Sequence, residues 1–85
     1  MDLDDWENQY IDLKLSLSQL LQSKRKEQEL PQTEVADLIK SSQSRIAKME
    51  NGDPSVSLDL IIKTLFMLGV ERDELAGCFL DSEKV

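Results

Sequence analysis

The chain has 85 residues, of which 40% are hydrophobic and 32% are charged, and its 17 acidic and 10 basic residues give a formal net charge of −7. A chain of this length supports one small domain, which buries only about 60% of its unfolded surface and leaves little room for an enclosed active site. The single cysteine, Cys78, excludes an internal disulfide and is typical of a reducing cytosol. We expect Cys78 to fill apolar space in the last helix.

The N-terminal segment is acidic and has helical periodicity. Residues 1–12 contain five acidic and no basic side chains and lack an apolar core followed by small residues, so we expect no secretory signal and a cytoplasmic location. The apolar stripe has steps of four and three: Trp6, Tyr10, Leu13, Leu17 and Leu20. Residues 11–17 also alternate like a strand, but the longer stripe favours a helix from Asp5 or Tyr10 to about Gln28. We interpret residues 1–14 as an extension that is continuous with this helix and frays at its start.

The middle of the chain is interpreted as two short helices joined by a tight turn. Pro31 disfavours helix at the residue before it and suits the first turn of a second helix, which we expect to end at Ile39. The pair Ser41-Ser42 supplies a turn and then a capping oxygen for a third helix from Gln43 to about Glu50. The apolar residues of each helix share one face: Val35, Ala36 and Ile39 in the second, Ile46 and Met49 in the third.

Two further helices are predicted after a turn at residues 51–54. Ser57 caps the fourth helix, and Gly69 ends it in a left-handed conformation. Its buried stripe is predicted to contain Leu58, Ile61, Ile62, Leu65 and Leu68. This apolar stretch is interrupted by polar residues and is too short to span a bilayer. The fifth helix runs from about Arg72 to Leu80, and residues 81–85 are expected to form a loose tail.

At these residues the sequence resembles the phage-repressor and Cro type of helix-turn-helix domain, also called the xenobiotic-response-element (XRE) type. Seven positions match the family pattern without an insertion: Gln32, Ala36, Ser42, Gln43, Ile46, Glu50 and Gly52. The segments 54–58 and 65–70 match the family's fourth helix and its exit, so the resemblance covers roughly residues 15–75. It implies an all-α, five-helix, lambda-repressor-like domain over residues 15–80 that binds double-stranded DNA.

The outward face of the third helix is predicted to carry Gln43, Ser44, Arg45 and Lys48. The amide of Gln43 offers a donor and an acceptor side by side, which matches the major-groove edge of adenine. Arg45 is suited to guanine or phosphate, and Lys48 to phosphate or a base at the groove's rim. The alternative for Arg45 and Lys48 is a solvated polar face.

The resemblance also implies roles for residues outside that face. Gln32 matches a family position that contacts the DNA backbone and supports the first residue of the reading helix; its alternative is a solvated polar residue. Ser42 caps the third helix, and in the family this position often contacts phosphate. Arg25 and Glu50 match a structural ion pair. Lys40 stands where the family has a glycine with positive φ, and Pro31 stands where a capping Ser or Thr is usual.

The charge distribution moderates the expected DNA binding. Residues 13–52 contain seven basic and five acidic side chains, whereas residues 53–85 contain three basic and seven acidic ones. Physiological salt screens charges beyond about 8 Å, so the local excess of positive charge matters most near the phosphates. We expect weaker and less non-specific binding than that of a basic domain.

Two functions remain open at this point. The first is a sequence-specific transcriptional regulator, a repressor, acting as a homodimer through the last two helices (Leu75, Phe79 and Leu80) or through Trp6 and Tyr10. The second is the antitoxin of a toxin–antitoxin pair, with the acidic N-terminal segment on a basic toxin, although packing of Trp6 and Tyr10 on the core is the favoured interpretation. We expect no enzyme activity, catalytic residue, metal or cofactor, because histidine, paired cysteines and a glycine-rich phosphate loop are absent from the sequence.

Overall fold

The computed structural model describes residues 5–81, which form five helices and, within that range, no strand. The helices are α1 (Asp5–Glu27), α2 (Gln32–Leu38), α3 (Gln43–Glu50), α4 (Leu58–Met67) and α5 (Arg72–Asp81). The predicted all-α fold is confirmed, and each predicted helix is present. The expected fraying before residue 5 and the tail after residue 81 lie outside the described residues; Asp81 itself belongs to α5.

The core is formed by one long helix and the shorter ones packed on it. α1 contacts α3, α4 and α5, while α2 contacts α3. The buried apolar side chains are Leu17, Leu21, Val35, Ala36, Ile46, Met49, Val56, Ile61, Leu65, Leu68 and Val70. Burying each of the larger ones contributes about 1.5–3 kcal/mol, so this cluster fixes the position of α3. Cys78 is partly buried against the same core, as expected.

The first four helices end in the same way, with one residue in the left-handed conformation. These residues are Glu29 (φ 57°), Lys40 (φ 55°), Gly52 (φ 67°) and Gly69 (φ 89°). The following N–H closes each end on a carbonyl five residues back, for example Ser41 N to Ala36 O at 2.8 Å. The expected left-handed conformations of Lys40 and Gly69 are confirmed. The one at Glu29 was not anticipated, because glycine is the usual signal for it.

The N-terminal part of α1 corrects one expectation. Residues 5–12 are all exposed, with Trp6 62% and Tyr10 44% accessible, so the expected packing of these aromatics on the core is wrong. At about 1.5 Å per residue, the 23 residues of α1 extend well beyond the 7 to 10 residues of the helices beside it. The buried side of α1 begins at Lys14, whose Nζ donates to the carbonyl of Asp53 at 3.0 Å.

Candidate nucleic-acid interface

The third helix has one buried side and one polar side. Ile46, Met49 and Glu50 are buried, whereas Gln43, Ser44, Arg45 and Lys48 are exposed. The helix begins where expected, because the Oγ of Ser42 accepts a hydrogen bond from the N–H of Arg45 at 3.2 Å. All four side chains predicted to read DNA therefore lie on the outward face of α3.

A hollow of about 290 Å³ opens on this face. It is lined by Ser42, Ser44, Arg45, Lys48, Ser55 and Val56. Two cations and three hydroxyl groups line it, and these are the groups that bind phosphate oxygens. Ser55 is not among the residues predicted from the sequence to contact DNA, although the run Asp53-Pro54-Ser55 is a recognisable turn signal, and this turn places Ser55 at the hollow beside α3.

The Asp53 carboxylate fixes the loop between α3 and α4. Its Oδ1 accepts hydrogen bonds from the N–H of Ser55 at 2.8 Å and from the Oγ of Ser55 at 2.6 Å. These bonds lower the pKa of Asp53 from its ordinary 3.8, and the nearby positive charges of Lys48 and Lys14 lower it further. The carboxylate is thus ionised beside the hollow, which reduces the positive potential there.

A chain of polar contacts connects the core to the first residue of α3. Arg25 donates from Nε to Glu50 Oε2 at 2.5 Å and from Nη2 to Glu50 Oε1 at 3.0 Å, so the expected ion pair is present. Glu50 Oε1 also accepts from Gln32 Nε2 at 3.2 Å. Gln32 Oε1 in turn accepts from Gln43 Nε2 at 3.4 Å, a long and weak hydrogen bond. The buried carboxylate therefore orients Gln32, and Gln32 lies against Gln43.

The hydrogen bond to Glu50 is the main cause of a raised pKa of the Arg25 guanidinium, and the charge of Glu50 adds to it. The same guanidinium donates from Nη1 to the carbonyl of Leu30 at 2.9 Å. That bond ties the end of α1 to the segment that leads into α2. The ion pair thus holds three helices in place around the turn.

Both departures from the family pattern are visible at α2. Pro31 precedes the helix at φ −70° and ψ 158° without a side-chain capping bond, and Lys40 has a positive φ at the turn. The turn nevertheless closes, and α3 presents its polar face outward. A left-handed residue with a Cβ costs about 1 kcal/mol, which the packing of Val35 and Ala36 offsets.

Comparison with known proteins gives a family. A family model described as Helix-turn-helix (HTH_3) matches residues 21–75, which include α2, α3 and α4 entirely. No curated protein and no solved structure matches the chain. Within residues 5–81, no helix has the length and apolarity needed to cross a membrane. The matched segment contains the α2–turn–α3 unit and the core beneath it. The chain therefore belongs to the XRE type of helix-turn-helix family, which is also called the phage-repressor and Cro type and whose members are DNA-binding transcription regulators rather than enzymes.

Proposed function

We propose that this protein binds double-stranded DNA sequence-specifically by placing α3 in the major groove. The observation that carries the proposal is the exposure of Gln43, Ser44, Arg45 and Lys48 on one side of a helix whose other side is core. The major groove of B-DNA is about 12 Å wide and admits one α-helix. The buried side fixes the helix, and the exposed side is free to contact bases.

Some side chains of this surface contact bases and determine sequence preference, and others contact the phosphate backbone and position the protein on DNA. Gln43 at the start of α3 reads adenine, and Arg45 forks onto guanine or a phosphate. Lys48 and Ser42 contact phosphate along the hollow, and Gln32 contacts the backbone beside Gln43. Gln32 contacts both the buried Glu50 and the exposed Gln43, and this position favours a role for Gln32 in orienting the Gln43 side chain.

We further propose that the protein is a homodimer and acts as a transcriptional repressor in the cytoplasm. A symmetric dimer places two copies of α3 about 34–36 Å apart, one helical turn of DNA, and binding to an operator within a promoter excludes polymerase. Of the expected dimer residues, Leu75 is partly buried against the core and Phe79 and Leu80 are exposed. Exposed apolar side chains on α5 support that helix as the dimer surface.

In-vitro selection from random duplexes tests DNA binding and returns the half-site spacing. Against the selected duplex, Gln43→Ala should lose about 1–3 kcal/mol of binding free energy and relax the preference at one base pair. Gln19→Ala is the matched control, because Gln19 is an exposed glutamine on α1. Selection that returns no preferred sequence, or equal affinity of the Gln43→Ala variant and the parent, would contradict the proposal.

A second candidate function is that of an antitoxin. It is supported by the exposed Trp6 and Tyr10 on a segment whose charged residues, Asp5, Glu7 and Asp12, are all acidic. Such a segment suits a basic toxin surface, and the same protein would repress its own promoter. The test is co-expression with a small basic protein encoded beside it. Growth arrest by that protein alone, relieved by this chain but not by a Trp6→Ser/Tyr10→Ser variant, supports this function; no arrest contradicts it.

A further inference from the structure

Lys14 is the only basic residue that is buried in the part of the chain that the structure describes, and it is 7% exposed. Its Nζ donates a hydrogen bond to the carbonyl of Asp53 at 3.0 Å. No ion pair joins Lys14 to an acidic side chain within the described segment, whereas the more exposed Lys24, Arg25 and Lys63 are each paired. A buried charge is normally paired, and an ammonium group can donate more than one hydrogen bond. Lys14 therefore has charge and hydrogen-bonding capacity left for an anionic partner.

The carboxylate of Asp53 does not neutralise Lys14. Its Oδ1 accepts hydrogen bonds from the N–H and the Oγ of Ser55, at 2.8 and 2.6 Å. These bonds are the main cause of the lowered pKa of Asp53, and the charge of Lys14 is the smallest of the causes. The backbone carbonyl of Asp53 thus contacts Lys14, while its carboxylate is held by the loop that joins α3 to α4.

Lys14 lines a groove of about 350 Å³ between the N-terminal half of α1 and this loop. Small-molecule sites have volumes of about 300–1,000 Å³, mainly apolar walls and a few polar groups that orient the ligand. The groove has this composition, with apolar walls, two hydroxyl groups and, among the described residues, Lys14 as its one charged group. Its other lining residues are Tyr10, Ile11, Leu15, Gly52, Pro54, Val56 and Ser57.

The groove is held open by contacts between α1 and the loop. The hydrogen bond from Lys14 to the Asp53 carbonyl joins them at one point. At another, a Cβ on Gly52 would lie 2.7 Å from Leu15 Cδ2, so glycine is needed for the loop to approach α1 this closely. A preformed site requires little ordering of the protein when a ligand binds.

The acidic residues of α1 limit the size of the anion that fits. Glu7 lies on the same side of α1 as Lys14 but seven residues before it, about 10 Å along the helix axis. Physiological salt screens charges beyond about 8 Å. Asp12, two residues before Lys14, lies on the other side of the helix. A small ligand with one anionic group at Lys14 is therefore accepted, whereas a polyanion or an anionic membrane surface would also meet Asp5, Glu7 and Asp12.

We propose that this groove binds a small amphiphilic anion, with its anionic oxygens on Lys14 and its hydrocarbon chain along Ile11, Leu15 and Val56. The ammonium of Lys14 donates a charge-assisted hydrogen bond to the anion, and the apolar walls remove the chain from water. The proposal does not rest on DNA binding, because Gln43 and Arg45 on the outward face of α3 do not line the groove.

The test uses the full chain and three probes with the same hydrocarbon chain: octanoate, octanol and octylammonium. Each is titrated below the concentration at which it forms micelles, and amide shifts in NMR spectra give the affinity and the location. We expect octanoate to bind about tenfold more tightly than octanol, because it alone adds an anion for Lys14 to the apolar contact. Octylammonium should bind more weakly than octanol, because its charge repels Lys14.

A lysine variant tests the charge contact. Lys14→Met keeps a long side chain and removes the ammonium, so octanoate and octanol should bind it equally. Lys26→Met is the matched control, because Lys26 is exposed on the same helix, and it should retain the tenfold preference for octanoate. Thermal unfolding verifies that both variants are folded.

A second pair of variants tests the apolar contact without altering a buried residue. Ile11→Ser should weaken octanoate and octanol alike, by about fivefold, because Ile11 lines the groove. Phe66→Ser removes a comparably exposed apolar side chain on α4 and should weaken neither probe. Unchanged affinity of Ile11→Ser for the selected duplex would separate this site from the DNA-binding surface.

Three results would overturn the proposal. One is equal affinity of the parent protein for octanoate and octanol, which would leave Lys14 without a role in binding. Another is a set of amide shifts that excludes residues 10–15 and 52–57. The last is a tenfold preference for octanoate that persists in Lys14→Met, which would assign the anion to a different cation.

Discussion

The guanidinium of Arg25 and the carboxylate of Glu50 face each other through two parallel hydrogen bonds, Nε to Oε2 at 2.5 Å and Nη2 to Oε1 at 3.0 Å. The two side chains are only 12% and 2% exposed, so water screens this pair very little. Glu50 is the last residue of α3, and Arg25 lies in the last turn of α1. This pair therefore fixes the reading helix to the longest helix of the fold.

Removing one partner should destabilise the domain strongly. In Glu50→Ala the guanidinium remains largely buried without its charge partner, and we expect a loss of about 3–5 kcal/mol in the free energy of unfolding. Urea denaturation followed by circular dichroism measures it. Glu27→Ala is the control: Glu27 is 67% exposed and 3.5 Å from Lys24, so its loss should cost less than about 1 kcal/mol. Similar losses in the two variants would refute the structural importance of the buried pair.

The sequence was sufficient for the helices and for the direction in which α3 presents its residues. Apolar spacing identified Val35, Ile46 and Ile61 as core, and capping signals located Ser42 and Ser57. These features are local, because one turn of helix or one cap determines each of them.

Features that depend on distant parts of the chain were not predicted from the sequence. Lys14 is only 7% exposed, and its ammonium group donates a hydrogen bond to the carbonyl of Asp53, 39 residues away. The apolar spacing of Trp6 and Tyr10 matches a core stripe, but no neighbouring helix among residues 5–81 extends far enough to cover them. Periodicity gives the face of a helix; it does not give the length of the elements packed against that face.

The two serine caps should separate helix stability from DNA contact. Ser42 Oγ accepts from Arg45 N at 3.2 Å, and Ser57 Oγ accepts from Leu60 N at 3.2 Å. Ser42→Ala and Ser57→Ala should each cost about 1 kcal/mol of stability, which thermal unfolding measures. Of the two capping serines, Ser42 lines the hollow on the face of α3 and Ser57 does not. Ser42→Ala should therefore also weaken binding to the selected duplex, whereas Ser57→Ala should not. Equal DNA affinity of the two variants would exclude a phosphate contact at Ser42.

Replacement of Lys40 should relieve backbone strain at the turn. At φ 55° a residue without a Cβ is favoured, so Lys40→Gly should be more stable than Lys40→Ala by about 1 kcal/mol. The comparison of Gly with Ala at one position isolates the Cβ, because both variants lack the lysine charge. Differential scanning calorimetry measures the difference. A higher stability of Lys40→Ala would mean that the turn is not strained.

The lowered pKa of Asp53 predicts a pH dependence in acid. Because the folded pKa is below the ordinary 3.8, the unfolded chain binds the proton more readily, and the stabilising contribution is present above that ordinary value and disappears as the pH falls through the folded pKa. Ser55→Ala removes the hydroxyl hydrogen bond, the first cause of the shift, and should raise the pKa of Asp53. Carboxyl ¹³C NMR titration measures both values. An unchanged pKa in the variant would exclude the Ser55 hydroxyl as the cause.

The cations on α3 should determine how DNA binding depends on salt. Each phosphate contact releases counterions, so Lys48→Ala should lower the slope of log K against log salt by about 0.9 and weaken all duplexes alike. Arg45→Ala should do the same if it contacts phosphate, and should instead relax preference at one position if it contacts guanine. Lys63→Ala is the control, since Lys63 is exposed on α4 and paired with Asp59 at 2.9 Å. Fluorescence anisotropy over a range of salt concentrations measures the slopes. If the slopes for Lys48→Ala and Lys63→Ala were equal, Lys48 would not contact phosphate. The hollow on α3 would then not be a phosphate-binding site.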